Sequence, residues 1–213
     1  MLPMRLYGYF RSSASYRVRI ALNLKQIEVD HVFRHLRRGE QNTPDYLSLN
    51  PQGLVPTLIL DDGRTLTQSL AIIEWLDETF PFPALLPKDA FARAKVRAFA
   101  LAITADIHPL QNLRVLSRLH SISQSEEAAA QWAAWVNRDG LAACEKMLSC
   151  EPGPFCFGPA ASLADICLVP QLANARRFSV DVAGFPRLLE AEAAANALPE
   201  FAKAAPSQQG DAE

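Results

Sequence analysis

The sequence predicts an α/β region followed by an all-helical region. Strand and helix patterns alternate over about the first eighty residues, in the order βαβ, a short helix, and ββα. A segment with three prolines, residues 81–87, interrupts this pattern, and helical periodicity follows it. We therefore predict an N-terminal α/β domain over residues 1–82 and an all-α domain over residues 88–213.

The α/β region combines strands of alternating apolar and polar residues with helices that carry an apolar stripe. The predicted strands are residues 4–9, 27–33, 55–60 and 64–67, and the predicted helices are residues 13–25, 43–47 and 70–79. The initial βαβ unit implies a parallel strand pair, and the turn at residues 61–63 implies an antiparallel hairpin.

Serine residues precede two of these helices. Ser12 stands before the first helix and Ser13 begins it, and Ser69 is predicted to cap the third, because serine hydroxyls accept hydrogen bonds from unpaired backbone N–H groups. The turn around Ser12 joins a strand to a helix N-terminus, and such a place favours a bound anion. Ser12 and Ser13 are thus either a helix cap alone or also an anion site.

The helical region contains two long amphipathic segments, residues 89–120 and 125–148. Pro109 is expected to kink or break the first of them, since proline lacks an N–H and its ring clashes with the preceding turn. Ser162 and Asp165 have the spacing of a capping box, which begins a helix.

That helix is predicted to run to about residue 177. Shorter helices are expected after Pro186 and Pro199. The tail, residues 207–213, is polar and small, and we expect it to fray.

Composition excludes several classes of protein. The chain has 213 residues, of which 49% are hydrophobic, and it carries 21 basic and 23 acidic residues, which argues against binding to nucleic acid or a membrane surface. No apolar stretch is long enough to span a bilayer, and no signal peptide is recognisable, so we expect a cytoplasmic protein. The four cysteines lack CxxC spacing and His, Asp and Glu form no cluster, so no metal site is predicted.

Five segments spread over the chain carry a resemblance to a known family: Arg11–Arg17, Leu49–Leu58, Gln68–Glu74, His108–Leu113 and Arg176–Phe178. They resemble the zeta class of cytosolic glutathione transferases, whose members include maleylacetoacetate and maleylpyruvate isomerases. The resemblance implies a thioredoxin-like N-terminal domain, an all-α C-terminal domain, glutathione as cofactor and a homodimer. One departure is Ala14, which stands where the family signature Ser-Ser-Cys-x-x-Arg has its cysteine.

The resemblance implies a set of glutathione-binding residues: Ser12, Ser13, Gln41, Val55, Pro56, Gln68, Ser69 and Asn112. In the family the Val55–Pro56 bond is cis, whereas the residues alone indicate a trans proline that begins an edge strand. Ser12 is the first candidate to stabilise the thiolate, with Ser13 second. Arg11 completes the predicted catalytic group.

The substrates of the family are maleyl dianions, and the implied substrate-binding residues are Arg11, His108, Arg114, Arg177 and Arg176. Guanidinium groups suit carboxylates because their paired donors match the two oxygens. The i, i+4 spacing places His108 and Asn112 on one helix face. His108 either assists proton transfer or satisfies helix carbonyls freed by Pro109, and either arginine of the pair at 176 and 177 meets the substrate.

The implied function is glutathione-dependent cis–trans isomerisation of maleylacetoacetate or maleylpyruvate to the fumaryl isomer, in the catabolism of aromatic compounds such as aromatic amino acids. One alternative is a general glutathione transferase or dehalogenase that conjugates small electrophiles. Another is a non-catalytic binding protein of the same fold, against which both serines and Arg11 argue. The sequence does not distinguish the two isomerase substrates.

Overall fold

The computed structural model describes residues 3–213 and divides the chain into two compact units. The first unit comprises the residues up to Ala84 together with Leu198–Glu213, and the second comprises Leu85–Ala197. Within residues 3–213, no helix combines the length and the apolar character that a membrane crossing requires.

The first unit contains a mixed four-stranded sheet, as the family resemblance predicts. Its strands are β1 (Arg5–Gly8), β2 (Asp30–Phe33), β3 (Thr57–Ile59) and β4 (Thr65–Thr67), in the order β2-β1-β3-β4. β1 runs parallel to β2 and antiparallel to β3, and β3 is antiparallel to β4. The predicted parallel pair and hairpin are therefore confirmed.

Three helices belong to this part of the chain: α1 (Ser13–Leu24), α2 (Pro44–Leu49) and α3 (Ser69–Thr79). α1 packs against α3. The predicted apolar stripe of α1 forms part of the core, since Val18 and Ile20 are fully buried together with Leu58 of β3 and Ile72 of α3. Each such side chain contributes about 1.5–3 kcal/mol to folding.

All four strands are shorter than predicted, and for two of them the start has an identifiable reason. The chain leaves α1 through Gln26, whose φ is 56°, and the Ile27 N–H donates to the Leu22 carbonyl at 2.9 Å, so β2 begins later than Ile27. β3 begins at Thr57, because Pro56 has no N–H to donate to the sheet.

The second unit is helical. Its helices are α4 (Ala90–Leu101), α5 (Leu113–Ser123), α6 (Glu126–Leu148), α7 (Leu163–Arg177) and α8 (Pro186–Asn196). The predicted break at Pro109 is confirmed, because a π-helix at Ala102–Ile107 and a 3₁₀-helix at His108–Gln111 separate α4 from α5. Gly140 of α6 permits close packing there, since a Cβ at this position would lie 2.4 Å from Ile107.

The predicted capping box of α7 is also confirmed. The fully buried Asp165 carboxylate accepts hydrogen bonds from the backbone N–H groups of Ser162 and Cys156, each at 2.8 Å, and from the Ser162 hydroxyl at 2.9 Å. Burial raises the pKa of Asp165, and these hydrogen bonds oppose the rise. The side chain therefore fixes the start of α7 and also the loop at Cys156.

The C-terminal residues return to the first unit, whereas the predicted boundary placed them in the helical domain. α9 (Pro199–Ala204) packs on α1, where Asn23 Nδ2 donates to the Glu200 carbonyl at 2.8 Å. The expectation that residues 207–213 fray is wrong. Side chains of this segment bond to loops of the first unit, with Asp211 accepting from the Phe10 N–H and Glu213 bonded to His35.

Replacement of Asp165 by Ala is expected to lower the free energy of unfolding by about 3 kcal/mol, because two buried N–H groups lose their acceptor. Asp89→Ala serves as the control, since Asp89 caps α4 through one bond to the Ala92 N–H and is exposed. That change should cost about 1 kcal/mol. Urea denaturation of both variants measures the difference, and equal losses would contradict the role given to Asp165.

Candidate active site

The sheet register brings four loops of the first unit to one edge. Tyr7 of β1 pairs with Thr57 of β3, and Thr57 pairs with Thr67 of β4. Because β1 is antiparallel to β3 and β3 to β4, the end of β1, the start of β3 and the end of β4 lie together. β2 is parallel to β1 and ends at the same edge.

The loop after β1 carries Ser12, which caps α1 as predicted. The Ser12 Oγ accepts from the Ser15 N–H at 3.2 Å, and the Ser12 N–H donates to the Tyr9 carbonyl at 3.0 Å. Ser13 is buried in the first turn of α1, and this turn contains no acidic residue. The partial positive charge of the helix N-terminus is therefore not neutralised by a carboxylate of its own first turn.

Arg11 lies in the same turn. Its side chain is half-buried, with the guanidinium carbon 5.3 Å from the centroid of the Phe10 ring. This stacking arrangement is one that arginine adopts readily on aromatic rings.

The loop before β3 contains the predicted cis bond. The Val55–Pro56 peptide is cis, and Val55 is buried. Two side chains hold the backbone just before this bond. The Tyr46 hydroxyl donates to the Leu54 carbonyl at 2.6 Å, and Asn50 Nδ2 donates to the same oxygen at 2.8 Å.

Gln41 lies beside this loop, in the 3₁₀-helix Glu40–Asn42 that follows β2. Gly53, with φ of 60°, allows the loop before β3 to lie close to Gln41, because a Cβ at Gly53 would lie 3.3 Å from the Gln41 carbonyl oxygen. The Oε1 atom of Gln41 is buried and has no hydrogen-bond partner among residues 3–213.

The loop after β4 carries Gln68 and Ser69, and here one prediction is wrong. α3 begins at Ser69 itself, so Gln68 occupies the cap position and makes no side-chain cap bond. Gln68 has φ of 70°, which costs a non-glycine residue about 1–3 kcal/mol and is found most often at functional sites. Gln68 Nε2 donates to Gln52 Oε1 at 2.9 Å, which connects this loop to the one before β3.

Arg17 joins two of these loops, a role that the sequence analysis did not assign. Its side chain is buried, and its Nε donates to the Ser69 Oγ at 3.0 Å. Arg17 lies one helical turn after Ser13, so it holds the start of α3 beside the start of α1. The signal in the sequence was an arginine within the amphipathic pattern of α1, because a charged side chain that is buried there requires a partner.

The second unit holds the other predicted residues. Asn112 caps α5, with its Oδ1 accepting from the Val115 N–H at 3.1 Å, while Arg114 is exposed on that helix and His108 is half-buried. The predicted shared helix face of His108 and Asn112 is wrong. Pro109 produces a 3₁₀ turn that ends at Gln111, and Asn112 has extended backbone.

The two adjacent arginines at the end of α7 differ in their contacts. Both Nη atoms of Arg176 bond to the carboxylate oxygens of Glu192 at 2.5 Å, and this hydrogen-bonded pairing raises the pKa of Arg176. Arg177 is exposed, with its guanidinium carbon 6.0 Å from the Phe178 ring centroid.

All four cysteines lie in the second unit. Burial raises the pKa of Cys144 to about 12 and raises that of Cys156 well above its usual value. These buried thiols therefore remain protonated at neutral pH and pack as apolar groups.

Comparisons with known proteins agree with this arrangement. A family model described as glutathione S-transferase, N-terminal domain, matches residues 11–79. The probable maleylacetoacetate isomerase of Vibrio cholerae is 47% identical over 216 residues, which cover 100% of both chains.

Two solved structures are similar over nearly the whole chain. A holo structure of maleylpyruvate isomerase, a bacterial zeta-class glutathione S-transferase, has a TM-score of 0.95 and 42% identity, and the match covers 98% of this chain and 100% of that one. Maleylacetoacetate isomerase from Methylobacterium extorquens, with bound malonate and glutathione, has a TM-score of 0.95 and 40% identity, covering 98% and 99%. The chain therefore belongs to the zeta-class glutathione transferase family that includes the maleylacetoacetate and maleylpyruvate isomerases.

Proposed function

We propose that this protein catalyses the glutathione-dependent cis–trans isomerisation of maleylacetoacetate or maleylpyruvate to the corresponding fumaryl isomer. The observation that carries the proposal is the Ser12 hydroxyl at the N-terminus of α1, on the sheet edge where Val55 and Ser69 also lie. Full-length relatives with these two isomerase names support it.

The first unit offers the groups that a glutathione molecule requires. The residues that would hold it are Ser12, Ser13, Gln41, Val55, Pro56, Gln68 and Ser69. The buried Oε1 of Gln41, which lacks a partner within residues 3–213, fits a donor of the ligand, because buried acceptors are rarely left unsatisfied. The start of α3 at Ser69 suits a carboxylate for the same reason that any helix N-terminus does.

When bound, glutathione supplies the thiolate that adds to the cis double bond and leaves after rotation about the resulting single bond. The task of Ser12 is to keep this thiol ionised. Its oxygen accepts from the Ser15 N–H, so its own proton remains to be donated to sulfur. This donation and the helix N-terminus both lower the thiol pKa from its ordinary value of about 8.5. Since Ala14 replaces the signature cysteine, the first unit supplies no thiol of its own.

Arginine residues orient the two carboxylates of the substrate. Arg11 lies directly before Ser12, so its guanidinium serves the reacting end. Of the second-unit pair, Arg177 is the first candidate by the family resemblance and Arg176 is the second; both terminal nitrogens of Arg176 bond to Glu192. His108, Asn112 and Arg114 remain predictions, and the capping bond of Asn112 gives this side chain a structural role as well.

The protein is further proposed to be a cytoplasmic homodimer. Large apolar side chains on α4 support association, since Phe91 is 75% exposed and Leu101 is 47% exposed.

An activity assay with maleylacetoacetate and with maleylpyruvate tests the proposal. We expect fumaryl product to form in the presence of glutathione without net consumption of the thiol. Consumption of glutathione would instead indicate a conjugating transferase, and no reaction with either substrate would contradict the enzymatic function.

Ser12→Ala is expected to raise the pKa of the bound glutathione thiol and to lower turnover at neutral pH by about 100-fold, because the thiolate loses its hydroxyl donor. Titration of thiolate absorbance and a pH–rate profile measure these effects. Ser13→Ala is the comparison, and a larger pKa rise in that variant would transfer the role to Ser13. Thermal unfolding of both variants accounts for the lost cap, which costs about 1 kcal/mol.

The adjacent arginines provide a matched pair of variants. Arg177→Ala should raise the KM for the diacid by at least about tenfold. Arg176→Ala should leave the KM nearly unchanged but lower the free energy of unfolding by roughly 1–3 kcal/mol, because the buried Glu192 loses its partner. Steady-state kinetics and urea denaturation decide the case, and the reverse pattern would assign the substrate to Arg176.

A further inference from the structure

The C-terminal segment contacts the turn that carries Ser12. The Phe10 N–H donates to Asp211 Oδ2 at 2.9 Å, although the two residues are 201 positions apart in sequence. Phe10 precedes Ser12 by two residues, so this bond acts close to the proposed thiolate donor.

Arg19 of α1 donates to carbonyl oxygens of the same turn. Its side chain is 5% exposed, and Nη2 donates to the Phe10 carbonyl at 3.1 Å while Nη1 lies 3.5 Å from the Tyr9 carbonyl. Arg19 Nε donates to the Ala204 carbonyl at 2.9 Å, at the end of α9. One guanidinium therefore connects the turn to the C-terminal segment.

The Arg19 guanidinium and the Asp211 carboxylate interact electrostatically. Burial lowers the pKa of Arg19 to about 10, and the nearby Asp211 carboxylate opposes that change. The Tyr9 carbonyl also accepts from the Ser12 N–H at 3.0 Å. Backbone groups of Tyr9, Phe10 and Ser12 are thus held by Asp211, by Arg19 or by the turn itself.

We propose that Asp211 is a positioning residue for catalysis, which fixes the turn at Phe10 and thereby the direction of the Ser12 hydroxyl. This inference rests on the proposed function, in which Ser12 donates to the glutathione thiol. A displacement of about 1 Å at a reacting group can lower the rate about 100-fold, so a bond two residues away is sufficient to matter.

Two substitutions separate geometry from charge. Asp211→Asn keeps an oxygen for the Phe10 N–H but removes the charge beside Arg19. The side-chain amide nitrogen of this variant would take the place of Asp211 Oδ1, which is buried and lacks a hydrogen-bond partner among residues 3–213. Asp211→Glu keeps the charge but moves the acceptor by one methylene.

We expect Asp211→Asn to lower the unfolding temperature without raising the pKa of the bound glutathione thiol. Asp211→Glu should raise that pKa and lower turnover by about 10-fold to 100-fold. Glu200→Gln is the control, since it removes one negative charge from the same segment and its side chain takes no part in this contact; it should match the wild type.

The thiol pKa is measured by the absorbance of thiolate in the glutathione complex, and turnover by formation of the fumaryl product. A wild-type thiol pKa and turnover in Asp211→Glu would overturn the inference, as would an equal rise of the thiol pKa in Asp211→Asn and Asp211→Glu. The thiol titration needs no isomerase substrate, so it tests the role of Asp211 independently of the proposed reaction. Absence of isomerisation by the wild type would instead refute the proposed function.

Discussion

The placement of β3 between β1 and β4 is the constraint on which the candidate site depends. Because β3 is antiparallel to both neighbours, its N-terminal end is adjacent to the C-terminal ends of β1 and β4. Three loops with different tasks are thereby held at one edge by backbone hydrogen bonds. A shift of one residue in this pairing would turn every side chain of β3 to the opposite face of the sheet. Because Leu58 would then leave its buried position, its burial stabilises the register of β3.

Much of the local structure, including the turn that begins the candidate site, could be predicted because its signals are local. Ser12 as a cap, the capping box at Ser162 and Asp165, and the break at Pro109 each depend on residues within one or two helical turns. The identity of the cofactor did not follow from such patterns and required the resemblance of several separated motifs. His108 and Asn112 do not share a helix face as predicted, because Pro109 interrupts the α-helical geometry on which that spacing depends.

What could not be predicted is the part that depends on distant residues. Polar tails usually fray, and nothing near Asp211 in sequence indicates its bond to the Phe10 N–H. The buried arginines of α1 are a second case. Arg17 and Arg19 each find acceptors far along the chain, at Ser69 and at Ala204, so the tertiary fold decides what the helical pattern alone would place in water.

The return of the C-terminal segment to the first unit has a consequence for biosynthesis. The first unit is discontinuous in sequence, since its main part ends at Ala84 and its last part begins at Leu198. During translation the chain builds the whole helical unit before the residues that bond to the Phe10 turn leave the ribosome. The strands and α1 have time to form first, but the contact of Asp211 with Phe10 closes a loop of about two hundred residues and is therefore among the last to be made. A ribosome-bound chain that ends at Ala197 would carry Ser12 on a turn that lacks the bond between the Phe10 N–H and Asp211.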